Sequence, residues 1–375
     1  MQQFNSNADL SAVSDIIGAM DYILDDVSSQ TGVGYRHRQL VEDARVVQSS
    51  NPHGVFSSAI WRLPTEILTE IFLYCMPEYE SRTPSQHLAP VLLTRVCKRW
   101  RDIALDMPNL WCRLRLEVGP SNWQQSAFCY NFYLKRSRGL KLSLALDCHN
   151  NGWMELQSLL QCVMSFSGAD SLAIADFHGL SELVIYTGGT VPLKPFMRSI
   201  VQLPPSMRSL KLVDMWCHLE VLPGVESLGW ASLTNLEIVV NGLDCFVHLL
   251  QLCPNLSSLT MNAIFTTIET TKAFVHPRLQ YLGISGHSFL NSTLVDLGLF
   301  NAVTLPNLRG IEVRHMCQWP HEEFKAFLTR SQCPLEILIF GDGVMVTNQQ
   351  LAEYVELFPS LHLVTDTTRS GYLYT

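Results

Sequence analysis

From residue 180 to the end of the chain one short cadence returns: an aliphatic residue, two free positions, an aliphatic, one free position, an aliphatic. It reads Leu180-Ser-Glu-Leu183-Val-Ile185, Met207-Arg-Ser-Leu210-Lys-Leu212, Leu233-Thr-Asn-Leu236-Glu-Ile238 and Leu256-Ser-Ser-Leu259-Thr-Met261. It continues as Leu279-Gln-Tyr-Leu282-Gly-Ile284, Leu308-Arg-Gly-Ile311-Glu-Val313, Leu335-Glu-Ile-Leu338-Ile-Phe340 and Phe358-Pro-Ser-Leu361-His-Leu363. Successive starts lie 27, 26, 23, 23, 29, 27 and 23 residues apart. Alternation within the last four positions is the period of a strand, so each unit offers one short strand with one apolar face. A unit of that size cannot bury that face alone, and stacking its neighbours against it is the way to a continuous core.

These intervals fall in the range of leucine-rich repeats, and the fold class expected is a solenoid of parallel strands with helical or irregular returns. Proline precedes many strands, in Leu203-Pro-Pro, Cys253-Pro-Asn, His276-Pro-Arg, Leu305-Pro-Asn, Cys333-Pro-Leu and Phe358-Pro-Ser, where it stops a preceding helix. Helical spacing marks returns at 244–252, 322–328 and 348–358. An irregular first repeat is expected over 139–176, with a strand at 141–147, a helix at 153–164 and a strand at 171–175. A doubly wound α/β sheet is the competing architecture; it calls for longer helices and glycine-marked crossovers.

Upstream, three fragments stand together. The first is Leu63-Pro-Thr-Glu-Ile67-Leu68-Thr-Glu-Ile71-Phe72; Pro64 suits a first helical position, Glu66 faces the positive end of the helix dipole, and Ile67, Leu68, Ile71 and Phe72 make one apolar stripe. The second, Val96-Cys97-Lys-Arg-Trp100, reads as the start of a helix over 96–105 that covers the stripe. The third is Pro108-Asn-Leu110-Trp111. Residues 76–90, with three prolines, read as a long surface loop between the halves. Residues 1–58 are a tail with a candidate amphipathic helix at 12–27.

Taken together, residues 60–112 resemble an F-box, and the whole resembles fungal F-box-like proteins that join this module to a leucine-rich-repeat array. The resemblance implies three segments, a tail at 1–58, an F-box-like domain at 59–115 and a repeat array at 116–375. It implies a non-catalytic substrate receptor of a Skp–cullin–F-box ubiquitin ligase, binding a Skp-type adaptor and, through it, a cullin–RING complex. Carried over by position, the adaptor contacts are Leu63, Pro64, Ile67, Ile71, Phe72, Val96, Cys97, Trp100, Leu110 and Trp111, with Leu68, Ile103 and Ala104 as core.

Target contacts are expected on strand positions that project away from the core. One row runs Val184, Lys211, Glu237, Thr260, Gly283, Glu312, Ile339 and His362, and the next Tyr186, Val213, Val239, Asn262, Ser285, Arg314, Gly341 and Val364. The candidates are Lys211, Glu237, Asn262, Tyr281, Glu312 and Arg314.

Composition narrows the remaining classes. Hydrophobic residues are 47% and charged ones 16% of the chain, enough for a continuous core. A net charge of −8 without a basic stripe points away from nucleic acid. Eleven cysteines without a paired framework, and no apolar run of membrane length, point to a reducing cytoplasmic or nuclear setting with no membrane partner. The aromatic group Trp111, Trp123, Phe128, Tyr130, Phe132 and Tyr133, interleaved with Lys135, Arg136 and Arg138, is read as a helix packing the F-box against the first repeat rather than a base-stacking platform.

No cofactor motif is present. Cys148-His149, Cys217-His218 and His315-Met-Cys317 lack second pairs at zinc spacing, and Gly341-Asp-Gly343 reads as a turn. Gly283-Ile-Ser285-Gly-His287 is an incomplete nucleophile elbow, leaving a serine hydrolase as the remote reading and a non-ligase scaffold as the nearer alternative.

Overall fold

A computed structural model describes residues 63–76, 89–119, 122–148, 153–165, 179–187, 203–217, 219–222, 228–264, 273–286, 298–316 and 319–365. The expected helix at 12–27, the strand at 171–175 and most of the 76–90 loop lie outside these residues. The chain divides into two compact units, one reaching Glu117 and resuming over Ser121–Leu142, the other taking Val118–Pro120 and everything from Ser143.

The first unit is helical. Helix α1 spans Thr65–Tyr74 and buries Leu68 and Phe72 fully. Pro64 stands one position earlier than the sequence suggests: its φ of −54° suits a helix, but ψ of 153° makes it the cap, and its carbonyl accepts from Leu68 N–H. The single helix expected over 96–105 is two. Helix α2 covers Val91–Val96 and α3 covers Lys98–Asp106, with Cys97 extended between them at φ −162°. Cysteine caps the new start, its Sγ accepting from Trp100 N–H at 3.4 Å. Arg101 Nε donates to Thr94 O at 2.8 Å across the break, and the Arg99 guanidinium donates to Leu63 O at 2.6 Å, tying α3 to the entry of α1.

After a 3₁₀ turn at Pro108–Trp111, strand β1 (Arg113–Val118) leads to helix α4 (Trp123–Arg136). Trp111 is the keystone: only 1% exposed, its Nε1–H donates to Ala104 O at 2.9 Å, and its ring meets Phe132 and Tyr133 edge-on at 5.2 and 5.1 Å. The Arg136 guanidinium covers Phe132 at 4.3 Å. Within this helix Tyr130 and Tyr133 serve packing, being buried with no stacking face to offer a base, whereas Phe128 is exposed.

The second unit carries strands β2 (Leu142–Cys148), β3 (Leu180–Thr187), β4 (Ser209–Cys217), β5 (Asn235–Asn241) and β6 (Ser258–Ile264). Beyond the short β7 (Phe274–Val275) come β8 (Tyr281–Gly286), then, past β9 (Val303–Thr304), β10 (Gly310–Arg314), β11 (Ile337–Phe340) and β12 (His362–Thr365). Their order in the sheet is β2-β3-β4-β5-β6-β8-β10-β11-β12, and from β3 on every neighbour is parallel. Each strand adds beside its predecessor without reversal, so the switch point of a doubly wound sheet is missing from this run. β7 and β9 pair separately.

The register follows the leucine cadence. Leu183, Leu210, Leu236, Leu259, Leu282, Ile311, Leu338 and Leu363 stand opposite one another, and all but the last are buried. A second ladder runs just before the strands: backbone N–H donors of Arg208, Thr234, Ser257, Gln280, Arg309, Glu336 and His362 reach the carbonyls of Ser181, Arg208, Thr234, Ser257, Gln280, Arg309 and Glu336. These bonds satisfy groups that precede the strand ladder proper and fix the repeat-to-repeat step. Returns form helices α5 (Trp153–Ser165), α6 (Leu228–Ala231), α7 (Leu243–Leu252), α8 (Leu299–Ala302), α9 (His321–Ser331) and α10 (Asn348–Leu357). Gly229 lets α6 close on its neighbour, since a Cβ there would lie 2.1 Å from Leu203 O.

Two registers depart from expectation. The last strand is displaced by two residues: Leu363, not Leu361, opposes Leu338, so His362 pairs with Ile337 and Val364 with Ile339. A slip of two preserves which face each side chain takes, so alternation alone could not detect it. Between β4 and β5 a bulge follows Lys211↔Glu237, after which Trp216, rather than Val213, opposes Val239.

The X-Pro positions before the strands point inward; Leu203, Cys253, Leu305 and Cys333 are buried there, and so is His276. Its Nδ1 accepts from Leu279 N–H and its Nε2 bonds Cys253 O, both at 3.1 Å, which requires a neutral ring protonated at Nε2. Burial first, with the nearby Arg278 charge, holds its pKa below the ordinary value against the opposing pull of the Cys253 carbonyl. Because the unfolded chain binds the proton more readily, stability is complete above the unfolded pKa of about 6.5 and is lost as pH falls through the depressed folded value. Thermal melts between pH 7.5 and 5 are expected to show a loss that His276→Leu removes; an equal loss in that variant would place the titration elsewhere.

Candidate functional site

On the helical unit, the positions matched to adaptor contacts separate into two groups. Ile67 and Val96 are 47% and 52% exposed, Pro64 is exposed, and Leu63, Ile71, Cys97 and Trp100 are half-buried. Leu73, Tyr74 and Leu92, not singled out from the sequence, add exposed apolar surface on α1 and α2. Phe72, Leu110 and Trp111 do not reach the surface: Phe72 lies under Trp100 with ring centroids 4.9 Å apart, and the other two close the core below α3. The surface exists because α1 has more apolar residues than one face can bury. Leu68 and Phe72 fill the inner face, leaving Ile67, Ile71 and Leu73 outside it.

On the sheet of the second unit, the outward row pairs as Val184, Lys211, Glu237, Thr260, Gly283, Glu312 and Ile339. Lys211 Nζ and Glu237 Oε2 form an ion pair at 2.9 Å, both partly exposed. Val184 and Val239 are buried although they occupy outward positions. Asn262 is exposed, next to Ser285 and Arg314 in the neighbouring row.

Three of the predicted residues converge on one group. Glu312 accepts from Tyr281 O–H through Oε2 and from Arg314 Nε through Oε1. Burial of the Glu312 carboxyl works to raise its pKa, but the two donors and the Arg314 charge outweigh it and hold it below the usual range; burial and the same carboxylate raise that of Tyr281. Glycines make the constellation possible. A Cβ on Gly310 would lie 2.9 Å from the Tyr281 ring, and one on Gly341 2.7 Å from Cγ of Arg314. The sequence places Gly341 beside Arg314 in the outward row but does not mark Gly310, and the part either glycine plays shows only when the register puts it next to the long side chain.

The remaining chemical candidates are thinner. Ser285 Oγ bonds Gly286 O at 3.4 Å, and His287 lies outside the described residues, as do His149, His218 and Cys317. Among the described residues no group of three metal-ligating side chains assembles, and no helix is long and apolar enough to cross a membrane.

Residues 60–117 match the family model of the F-box-like domain, covering α1 to α3, the 3₁₀ turn and nearly all of β1. No curated protein matches the chain.

Proposed function

We propose, from the F-box-like segment at residues 60–117, that this chain is a non-catalytic substrate receptor of a Skp–cullin–F-box ubiquitin ligase. The helical segment holds a Skp-type adaptor, and through it a cullin–RING complex. The strands from β3 onward act as a leucine-rich-repeat solenoid whose outward face holds a target protein. Chemistry is supplied by the partners; the chain contributes proximity, raising the effective concentration of target lysines near the conjugating enzyme. The domain boundaries that go with this reading are a tail at 1–58, an F-box-like domain at 59–115 and an array at 116–375.

The observation that carries the adaptor half is the exposed apolar group Pro64, Ile67 and Val96, edged by Leu63, Ile71, Cys97 and Trp100, inside the matched segment. Side chains of this kind left uncovered on a small helical unit fit a partner surface. The parallel, in-order sheet and its aligned leucines support the array half.

Coexpression with a Skp-type adaptor tests the reading. The full chain is expected to copurify with it, and Ile67→Asp to weaken the complex at least about tenfold, or about 1.4 kcal/mol, with an unchanged thermal melt. Leu63→Ala with Pro64→Ala is expected to act in the same direction. Full retention by both variants would sink the assignment of this face, and capture of adaptor with no cullin would favour a scaffold outside any ligase.

A further inference from the structure

We infer that the outward strand face takes a target segment carrying a lysine or arginine, seated between Glu237 and Glu312 over Gly283; this rests on the array being the target-binding part. In register the face runs Lys211, Glu237, Thr260, Gly283, Glu312. Both ion pairs are oriented alike with respect to the middle. Lys211 stands on the far side of Glu237, and Arg314, though on the strand of Glu312, lies with its stem along Gly341 of the next strand outward. In strand order each pair therefore has its carboxylate nearer the middle and its cation farther out.

Between the carboxylates the floor is low and polar. Gly283 has no side chain, and the nearest atoms to a Cβ built there belong to Thr260, at 3.2 Å. Asn262 and Ser285 border it in the next row, and Asn262 is exposed. Three strand steps of about 4.8 Å separate Glu237 from Glu312 at the backbone, so a group over Gly283 and Thr260 is roughly 7 Å from each. That is inside the Debye length of about 8 Å at physiological salt. An ammonium or guanidinium there lies nearer to the two carboxylates than to their paired cations, with hydroxyl and amide acceptors beside it; a carboxylate or phosphate has like charge as its nearer neighbour on both sides. Glu312 stays ionised for this role because Tyr281 and Arg314 hold its charge in place.

Selection of random dodecapeptides displayed on phage against the full chain tests the inference. Selected peptides are expected to share a basic residue at one position, and replacing it by alanine in a synthetic copy to weaken binding about tenfold by fluorescence anisotropy, more at low salt than at high. Gly283→Leu, which fills the floor, is expected to abolish the binding. Asn262→Leu fills it from the adjacent strand and carries the test if the first variant melts early. A selected pool with no basic preference, or an acidic one, overturns the inference while leaving the target face standing. Binding indifferent to both fillings sinks the target face as well, and so does recovery of no binding peptide.

Discussion

Trp111→Ala is expected to unfold the helical unit and, with it, to remove adaptor binding. The side chain is enclosed, its Nε1–H bonds Ala104 O, and its ring braces Phe132 and Tyr133 of α4. Truncating a buried tryptophan costs about 3–5 kcal/mol, against a total of about 5–15 kcal/mol for an ordinary domain. Trp111→Phe keeps most of the ring contact and loses the N–H bond, a loss of about 1 kcal/mol, so it is expected to fold and to retain adaptor. Limited proteolysis across residues 63–142 reads the folding, and adaptor copurification reads the binding. The comparison with Ile67→Asp separates the two roles: one variant loses binding through the fold, the other without touching it. A Trp111→Ala chain that resists protease like the wild type yet drops the adaptor would return Trp111 to the contact surface.

Trp111 also shows where sequence reading stops. Its position at the end of a helical fragment is compatible with an interface, and a motif match carries no information about which way an indole turns. The decision depends on α4, a separate helix that begins at Trp123, whose Phe132 and Tyr133 supply the wall. Cys97 is a similar case: the run from Val96 to Leu105 has helical periodicity on either side, and only the capping geometry of the sulfur reveals the break.

The strands were far more legible, because period-two alternation and a recurring length are properties of the local chain. Expected strands and returns at 141–147, 153–164, 244–252 and 322–328 are met by β2, α5, α7 and α9 within a few residues. What the cadence cannot specify is an even slip, which leaves every side chain on its own face. Leu361 and Leu363 both satisfy the pattern, and pairing with β11 chooses the second. His276 is hidden for the opposite reason: as an X-Pro position it looks like its neighbours, and although Leu279 N–H is three residues away, its second partner, Cys253 O, comes within reach only through the folded step between units.

Phe324→Ala is expected to damage the array locally rather than as a whole. Phe324 is fully buried, and its ring meets Trp319 at 4.8 Å, Phe300 at 5.0 Å, Tyr354 at 5.4 Å and Phe327 at 6.1 Å, joining α8, α9 and α10. Tyr354 in turn accepts from Trp319 Nε1–H at 2.8 Å and bonds His321 Nδ1 at 2.7 Å, so a ring removed from this group loosens a buried polar network too. The loss is about 3–5 kcal/mol. In a nearest-neighbour array that loss falls on the units sharing the interface, while distant ones keep their own contacts. Hydrogen exchange is therefore expected to accelerate in β10, β11 and β12 and the helices between them, with β3, β4 and β5 protected as before. Uniform acceleration from β3 to β12 would mean that the sheet unfolds as one cooperative block, and the reading of this unit as a repeat solenoid would fall with it.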